Sequence, residues 1–203
     1  KGLNIFVSNK SDDILKFVNM DNSAPLKPFI FIPSLQARGT ETSNEAVIDS
    51  RIYKSDDLFP DLVIIDSRML KWNNKQDPAS SAMLALTQAI EACTYGESNP
   101  INDSFAYASI ELIYENLYGA LKCHCNKKEK TAFSNGVAIS GIVYSNAPEG
   151  LARAIGFEME KITGHHAGLC AGLVLPYALD YKFRFEKSGV REELLLPLAG
   201  IEN

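Results

Sequence analysis

Residues 80–92, SSAMLALTQAIEA, read as a helix that is apolar on nearly every side. Met83, Leu86, Ile90 and Cys93 fall on one side of a 3.6-residue repeat and Leu84 on another, the pattern of a helix enclosed by others in a bundle. Leu84 and Gln88, four residues apart, stack on one face. Asp77-Pro78 supplies a start signal, an N-cap acid followed by proline at the first helical position. The reading of this helix decides the fold, because every periodic segment after it is helical too.

Downstream, NPINDSFAYASIELIYENLYGALK (99–122) carries an apolar stripe of Phe105, Ile110, Ile113, Leu117 and Leu121. EKTAFSNGVAISGIVYSN (129–146) follows, with Gly136 and Gly141 allowing close helix contact at a cost in propensity. EGLARAIGFEMEKIT (149–163) and AGLCAGLVLPYALDYKF (167–183) complete the helical series. Upstream the character differs. KPFIFIPS (27–34), bounded by prolines, reads as a buried strand, and EAVID (45–49) and DLVIID (61–66) as two more. LNIFV (3–7) suits a short strand or the tail of a helix. The chain thus divides near residue 75 into a strand-bearing part, 1–75, and an all-helical part, 76–203.

A chain of 203 residues can bury a substantial core, and 46% hydrophobic residues is ordinary for a globular protein. The net charge of −5 and the absence of a Lys/Arg stripe argue against nucleic acid. Lys127, Lys128 and Lys130, interrupted by Glu129, read as a solvated helix start or loop. Of four cysteines, Cys93 and Cys170 sit in apolar helical patterns as small core residues. Cys123 and Cys125 flank His124, but a zinc ribbon needs a second cluster. No long apolar run or leader-like segment is seen, so a reducing cytoplasm and no membrane partner are expected. Ser80, Ser81, Thr87 and Ser104 have no histidine at triad spacing. Asp12-Asp13 and Asp56-Asp57 read as turn and cap pairs. Glu158 and Glu160 read as solvated, Tyr107, Tyr114 and Tyr118 as packing residues, and His165-His166 as capping or surface residues.

Several segments resemble the iron-containing (group III) alcohol dehydrogenase family. FIFIPSLQARGTETSNEAVI is similar to the family's Pro-Thr-Thr-Ala-Gly-Thr-Gly-Ser-Glu loop after a strand, and PDLVIIDSRML to its P-D-x-x-I-x-D-P-x-L segment. SSAMLALTQAIEACTYGESNPINDSFAYASIELIYENL follows the family's G-M-D-A-L-T-H-A-I-E-A-Y helix and its sequel, and SNGVAISGIVYSNAPEGLARAIGFEME and GLVLPYALDY complete the match. The resemblance implies α/β followed by all-α: a remnant of a Rossmann-like nucleotide domain plus a helical bundle, the dehydroquinate synthase-like fold. It also implies NAD or NADP as hydride carrier and iron or zinc held by one aspartate and three histidines.

The departures from that pattern carry the functional expectation. The family's aspartate falls on Leu84, and its histidines on Gln88, Phe157 and Ala167. His166 could stand as a relic ligand only through a one-residue insertion. A further active-site histidine falls on Arg153. Leucine and phenylalanine have no lone pair to give, and an amide is a weak donor, so no metal is expected. The sequence opens after the place of the family's glycine-rich phosphate loop. In the strand-end loop Leu35, Ala37 and Arg38 replace family residues, leaving Ser34, Arg38, Gly39 and Thr40 as the positions able to meet a cofactor. Arg38 could pair with a phosphate or carboxylate, although a solvated or salt-bridged loop arginine is the commoner case. The expectation is a non-catalytic homologue acting as scaffold or binding module, with no cofactor, and with a protein partner or self-association. The alternative is an active NAD(P)-dependent oxidoreductase whose site is completed by a partner chain or flanking segments.

Overall fold

The structure, a computed structural model, describes Lys1, Leu3, Ile5, Ser8 and residues 25–33, 38–48, 51–70, 76–96, 99–122 and 126–185. Ser34, Leu35, Ala37, Asp12, Asp13, Cys123, His124 and Cys125 lie outside the described residues.

Four short strands precede the helices: β1 Ile30–Phe31, β2 Glu45–Ile48, β3 Arg51–Lys54 and β4 Leu62–Val63. β1 and β4 pair in parallel, Ile30 opposite Leu62. β2 and β3 form an antiparallel ribbon with Ala46 opposite Tyr53. β3 was not expected, because four residues of RIYK are too short to display an alternation in sequence. The expected burial of the first strand is corrected: Ile30 is 60% exposed and Ile32 49%. Among the described residues β1 pairs with one strand only, and a ribbon of that width leaves Leu62 and Ile64 open as well. Leu3, Ile5 and Ser8 are helical, which agrees with the helical alternative at these positions. Ile5 packs with Ala46, Tyr53 and Leu58 in a small core under the β2–β3 ribbon. Ser55 caps a short 3-10 turn at Asp56–Leu58, so Asp56-Asp57 is the turn pair expected.

The helices are α1 Gln76–Cys93, α2 Pro100–Ala120, α3 Lys127–Ser145, α4 Leu151–Thr163 and α5 Ala167–Phe185. α1 begins at Gln76, one residue ahead of Asp77. It runs through the middle of the bundle. Its Ala82 and Ala85 meet Ile113, Phe133 and Val137, and its Ala89 and Cys93 meet Ala106, Ile110 and Val143. Cys93 and Cys170 are the small core residues expected.

Asn99 caps α2, its Oδ1 accepting from the amides of Ile101 at 3.1 Å and Asn102 at 3.0 Å, with Pro100 next in line. The expected stripe is partly overturned. Phe105 is 42% exposed, and Tyr114 and Tyr118, taken as packing residues, are 76% and 75% exposed. The reason is the closeness of α3: a Cβ on Gly136 would lie 2.9 Å from Ile113 Cγ1. Ala106, Ser109, Ile110 and Ile113 fill that seam, and the aromatics turn outward. Gly141 makes its close approach to a loop, not to a helix, since a Cβ there would lie 1.9 Å from the carbonyl oxygen of Gly39. Lys127 and Lys128 are exposed at the start of α3, as expected, while Lys130 Nζ donates to the carbonyl oxygen of Leu70.

α4 has no side-chain cap of its own, because Gly150 stands at its N-cap position. Glu91 of α1 supplies one from across the bundle: Oε1 accepts from Ala152 N at 2.7 Å and Oε2 from Arg153 N at 3.3 Å. Burial raises the pKa of Glu91, and those two amides oppose the rise. α4 ends at Gly164 in the left-handed region, φ 71°. The chain then reverses into α5, where Glu160 Oε1 accepts from Ala167 N at 3.1 Å and the His166 carbonyl accepts from Leu169 and Cys170. Glu160 is therefore a capping residue and not a solvated one. Among the described residues no helix is long and apolar enough to cross a membrane.

Gly168 seats α5 on α1, and a Cβ at that position would lie 1.9 Å from the Ser80 carbonyl oxygen. Backbone cannot yield as a side chain can. Gly168→Ala is expected to cost about 2–3 kcal/mol. Gly164→Ala, which meets open space and only backbone strain, is expected to cost about 1–2 kcal/mol. Urea denaturation of both variants checks the order.

Candidate functional site

A cavity of about 290 Å³ opens between the 38–48 segment and the helices α1 and α4. Its apolar wall is Val47, Leu84 and Phe157; Arg38, Thr40, Gln88 and Arg153 line the rest. The positions singled out in the sequence are thus brought together. Leu84 is on α1, Phe157 on α4 and Ala167 at the start of α5, and with Ala171 they form one buried apolar cluster. Leu84 is 1% exposed, Phe157 6% and Ala167 0%. Gln88, one turn from Leu84, is 4% exposed, with its Oε1 3.1 Å from Ser140 Oγ on α3.

This donor set does not fit a divalent metal. Three of the four positions offer no lone pair, and the fourth offers one amide oxygen already hydrogen-bonded. Among the described residues no group of three or more His, Cys, Asp or Glu side chains is placed to hold an ion. His166 is engaged by the loop: its Nδ1 lies 3.1 Å from Arg38 Nη2. Arginine only donates, so Nδ1 accepts and the ring proton of neutral His166 sits on Nε2. Arg38 Nη1 also lies 3.6 Å from Glu160 Oε1. Arg38 is salt-bridged, the commoner of its two readings, and holds φ 60° beside Gly39 at φ 87°.

The loop that continues from Arg38 is packed inward. Thr42 Oγ1 donates to the Ala138 carbonyl at 2.5 Å, and Glu41 is 2% exposed. Burial lifts the Glu41 carboxyl to about 7, against the pull of the backbone amides of Glu41 and Gly39 and the charge of Lys1. Its Oε2 has no hydrogen-bond partner. An amide that serves the loop's own carboxylate is not open to a phosphate in the same way.

The sequence marks Arg153 only as a replaced histidine and does not show its role. The Arg153 guanidinium, 1% exposed, donates from Nη2 to Glu45 Oε2 at 2.6 Å and from Nη1 to Glu149 Oε1 at 2.6 Å and Tyr144 Oη at 2.7 Å. Tyr144 in turn donates to Glu45 Oε1 at 2.7 Å. The guanidinium carbon stands 4.0 Å from the Tyr144 ring centroid and 4.8 Å from that of Phe157. Its Nε has no acceptor. The signal was present: Arg153 and Phe157 are four apart on α4, which puts the arginine on the buried stripe. Of the hydroxyls weighed as nucleophiles, Thr87 donates to Met83 O at 2.7 Å and Ser104 to Pro100 O at 2.8 Å, while the buried Ser80 Oγ has no hydrogen-bond partner.

A family model described as "Fe-containing alcohol dehydrogenase family, C-terminal" matches residues 78–196. An alcohol dehydrogenase of Thermococcus barophilus is 28% identical over 163 residues, covering 78% of this chain and 42% of that protein. Long-chain-alcohol dehydrogenase 1 of Geobacillus thermodenitrificans is 25% identical, covering 83% of this chain and 45% of its own length. The chain therefore spans less than half the length of these curated relatives. Among solved structures, an alcohol dehydrogenase from Oenococcus oeni is 27% identical, with a TM-score of 0.84 over 100% of this chain and 54% of that one. An iron-containing alcohol dehydrogenase from Thermotoga maritima shares the fold at 19% identity, with a TM-score of 0.75.

Two outcomes follow from this geometry. Leu84→Ala is expected to lose about 2–5 kcal/mol and Phe157→Ala about 3–5 kcal/mol, as buried truncations do. Leu84→Asp should lose more than Leu84→Ala, because a carboxylate would be buried in an apolar cluster. Chemical denaturation ranks the three, and a Leu84→Asp variant as stable as the parent would refute the closed cluster. Glu41 gives the second. Its folded pKa of about 7 lies above the ordinary 4.5, so the folded state holds the proton more tightly. The contribution of Glu41 to stability should be greatest below pH 4.5 and fall as pH rises to 7, by on the order of 3 kcal/mol. Glu41→Gln should flatten that slope in denaturation curves taken across the window.

Proposed function

Because the chain belongs to the iron-containing alcohol dehydrogenase family, we propose that it is a homologue whose metal and nucleotide sites have decayed and which acts as a scaffold or binding module. The observation that carries this reading is the cluster of Leu84, Phe157 and Ala167. Positions that resemble the family's ligand positions are joined there by apolar packing. A residue set that closes on itself in this way stabilises the fold and leaves no Lewis acid to polarise a carbonyl.

The nucleotide side supports the same reading. Arg38 is engaged by His166 and Glu160, and the Gly39 amide serves the Glu41 carboxyl. Arg38, Gly39 and Thr40, with Ser34 beside them in sequence, are the positions at which a weak cofactor contact would be sought. We read the parallel β1–β4 pair as what this chain holds of a Rossmann-like layer, and residue 75 as the boundary of the helical unit. A cytoplasmic setting and a protein partner or self-association complete the proposal. The two described free cysteines, both buried, are compatible with a reducing compartment.

The rival reading is an NAD(P)-dependent oxidoreductase completed by a partner chain or flanking segments. Elemental analysis after expression in iron- and zinc-supplemented medium, with a calorimetric titration of NADH and NADPH, tests the proposal. The expected result is no stoichiometric metal and a dissociation constant no tighter than about 1 mM for either nucleotide. One ion per chain, lost on Gln88→Ala, or micromolar nucleotide binding would overturn the proposal.

A further inference from the structure

The cavity retains a function-bearing asymmetry that the loss of metal ligands does not remove. The charged side chains on its wall are both cationic, Arg38 and Arg153. Arg153 is the more constrained. Its two faces are covered by the Tyr144 and Phe157 rings, Nη1 serves Glu149 and Tyr144, and Nη2 serves Glu45. Nε–H is left, buried and without an acceptor. An unmatched N–H on a buried cation is costly in the free protein and is relieved by a ligand that brings an acceptor oxygen. Arg38, 30% exposed and already paired with His166 at 3.1 Å and more loosely with Glu160 at 3.6 Å, brings a second guanidinium to the same wall, where a small carboxylate competes only with that long ion pair. Val47, Leu84 and Phe157 add an apolar lining, Phe157 beside Arg153 itself.

We propose that this cavity binds a small aliphatic monocarboxylate. One carboxylate oxygen accepts from Arg153 Nε–H, the other is held by Arg38 and the Gln88 carboxamide, and a short alkyl tail lies on Val47, Leu84 and Phe157. The cavity of about 290 Å³ suits a ligand of a few carbons and not a dinucleotide. Glu45 and Glu149 neutralise the two η nitrogens of Arg153, so the charge offered to a ligand is modest and a single carboxylate matches it better than a di- or trianion. This inference rests on the metal-free reading above: the cation that meets the ligand oxygen is a guanidinium.

The test is a calorimetric titration of the 203-residue chain with sodium butyrate in EDTA, with butan-1-ol and butylammonium chloride at matched ionic strength as controls. Butyrate is expected to bind with a dissociation constant of about 1 mM, and both controls at least about tenfold more weakly. Leu84→Phe, which fills the cavity and leaves both arginines, and Arg38→Gln should each weaken butyrate about tenfold or more. Arg153→Lys keeps the charge and removes Nε–H; where circular dichroism shows it folded, butyrate binding should be lost. Should that variant fail to fold, the Leu84→Phe and Arg38→Gln titrations decide the matter. No saturable butyrate binding in a chain shown free of metal overturns this inference alone. Equal binding of butan-1-ol, or binding indifferent to Leu84→Phe, also overturns it. Butyrate binding that EDTA abolishes overturns both this inference and the metal-free reading.

Discussion

The Arg153 guanidinium is the hinge on which the arrangement of strands and helices turns. It sits on α4, yet its partners come from β2, from α3 and from the turn between α3 and α4. A buried cation without partners would be prohibitive, so Glu45 must approach within hydrogen-bond distance, and the β2–β3 ribbon is drawn against the helical bundle. The Tyr144 and Phe157 rings flank the guanidinium at 4.0 and 4.8 Å. Removing one partner of such a pair typically costs about 3–5 kcal/mol, more than any cap or loop contact here can offset. The pair contributes less by net attraction than by fixing which surfaces meet.

The helical part was legible in the sequence because α1 to α5 are long and carry apolar residues at helical spacing; the caps at Asn99 and Gly164 emerge only in the structure. What the periodicity could not say is which side of a helix faces in. Phe105, Tyr114 and Tyr118 are large and apolar enough to suggest a core stripe, but the interior of α2 is set by how near α3 comes. That distance is fixed by Gly136, a residue on the other helix. The strands were legible as runs and not as partners. β3 is too short to show alternation, and the exposure of Ile30 depends on how many strands flank it.

The site was legible as a set of substitutions and not as a geometry. The resemblance to a family identified Leu84, Gln88, Phe157 and Ala167 as changed positions, and the fold brings the three apolar ones together in one cluster. Arg153 was noted only as a replaced histidine. Its ion pair could not be read, because Glu45 lies 108 residues away and nothing local marks a strand glutamate as buried. Glu160 was misread for a related reason: its partners, Ala167 and Arg38, come from another helix and a distant loop. Long-range polar pairs leave no periodic trace.

The cap that Glu91 gives to α4 has a kinetic corollary. The amides of Ala152 and Arg153 are protected from exchange only while a carboxylate 61 residues earlier in the chain is in place. The first turn of α4 therefore cannot settle as an isolated helix does. It waits for α1, and opening of α1 releases it. In hydrogen-exchange terms the two helices form one cooperative unit, and the Ala152 amide reports the integrity of a segment it does not belong to.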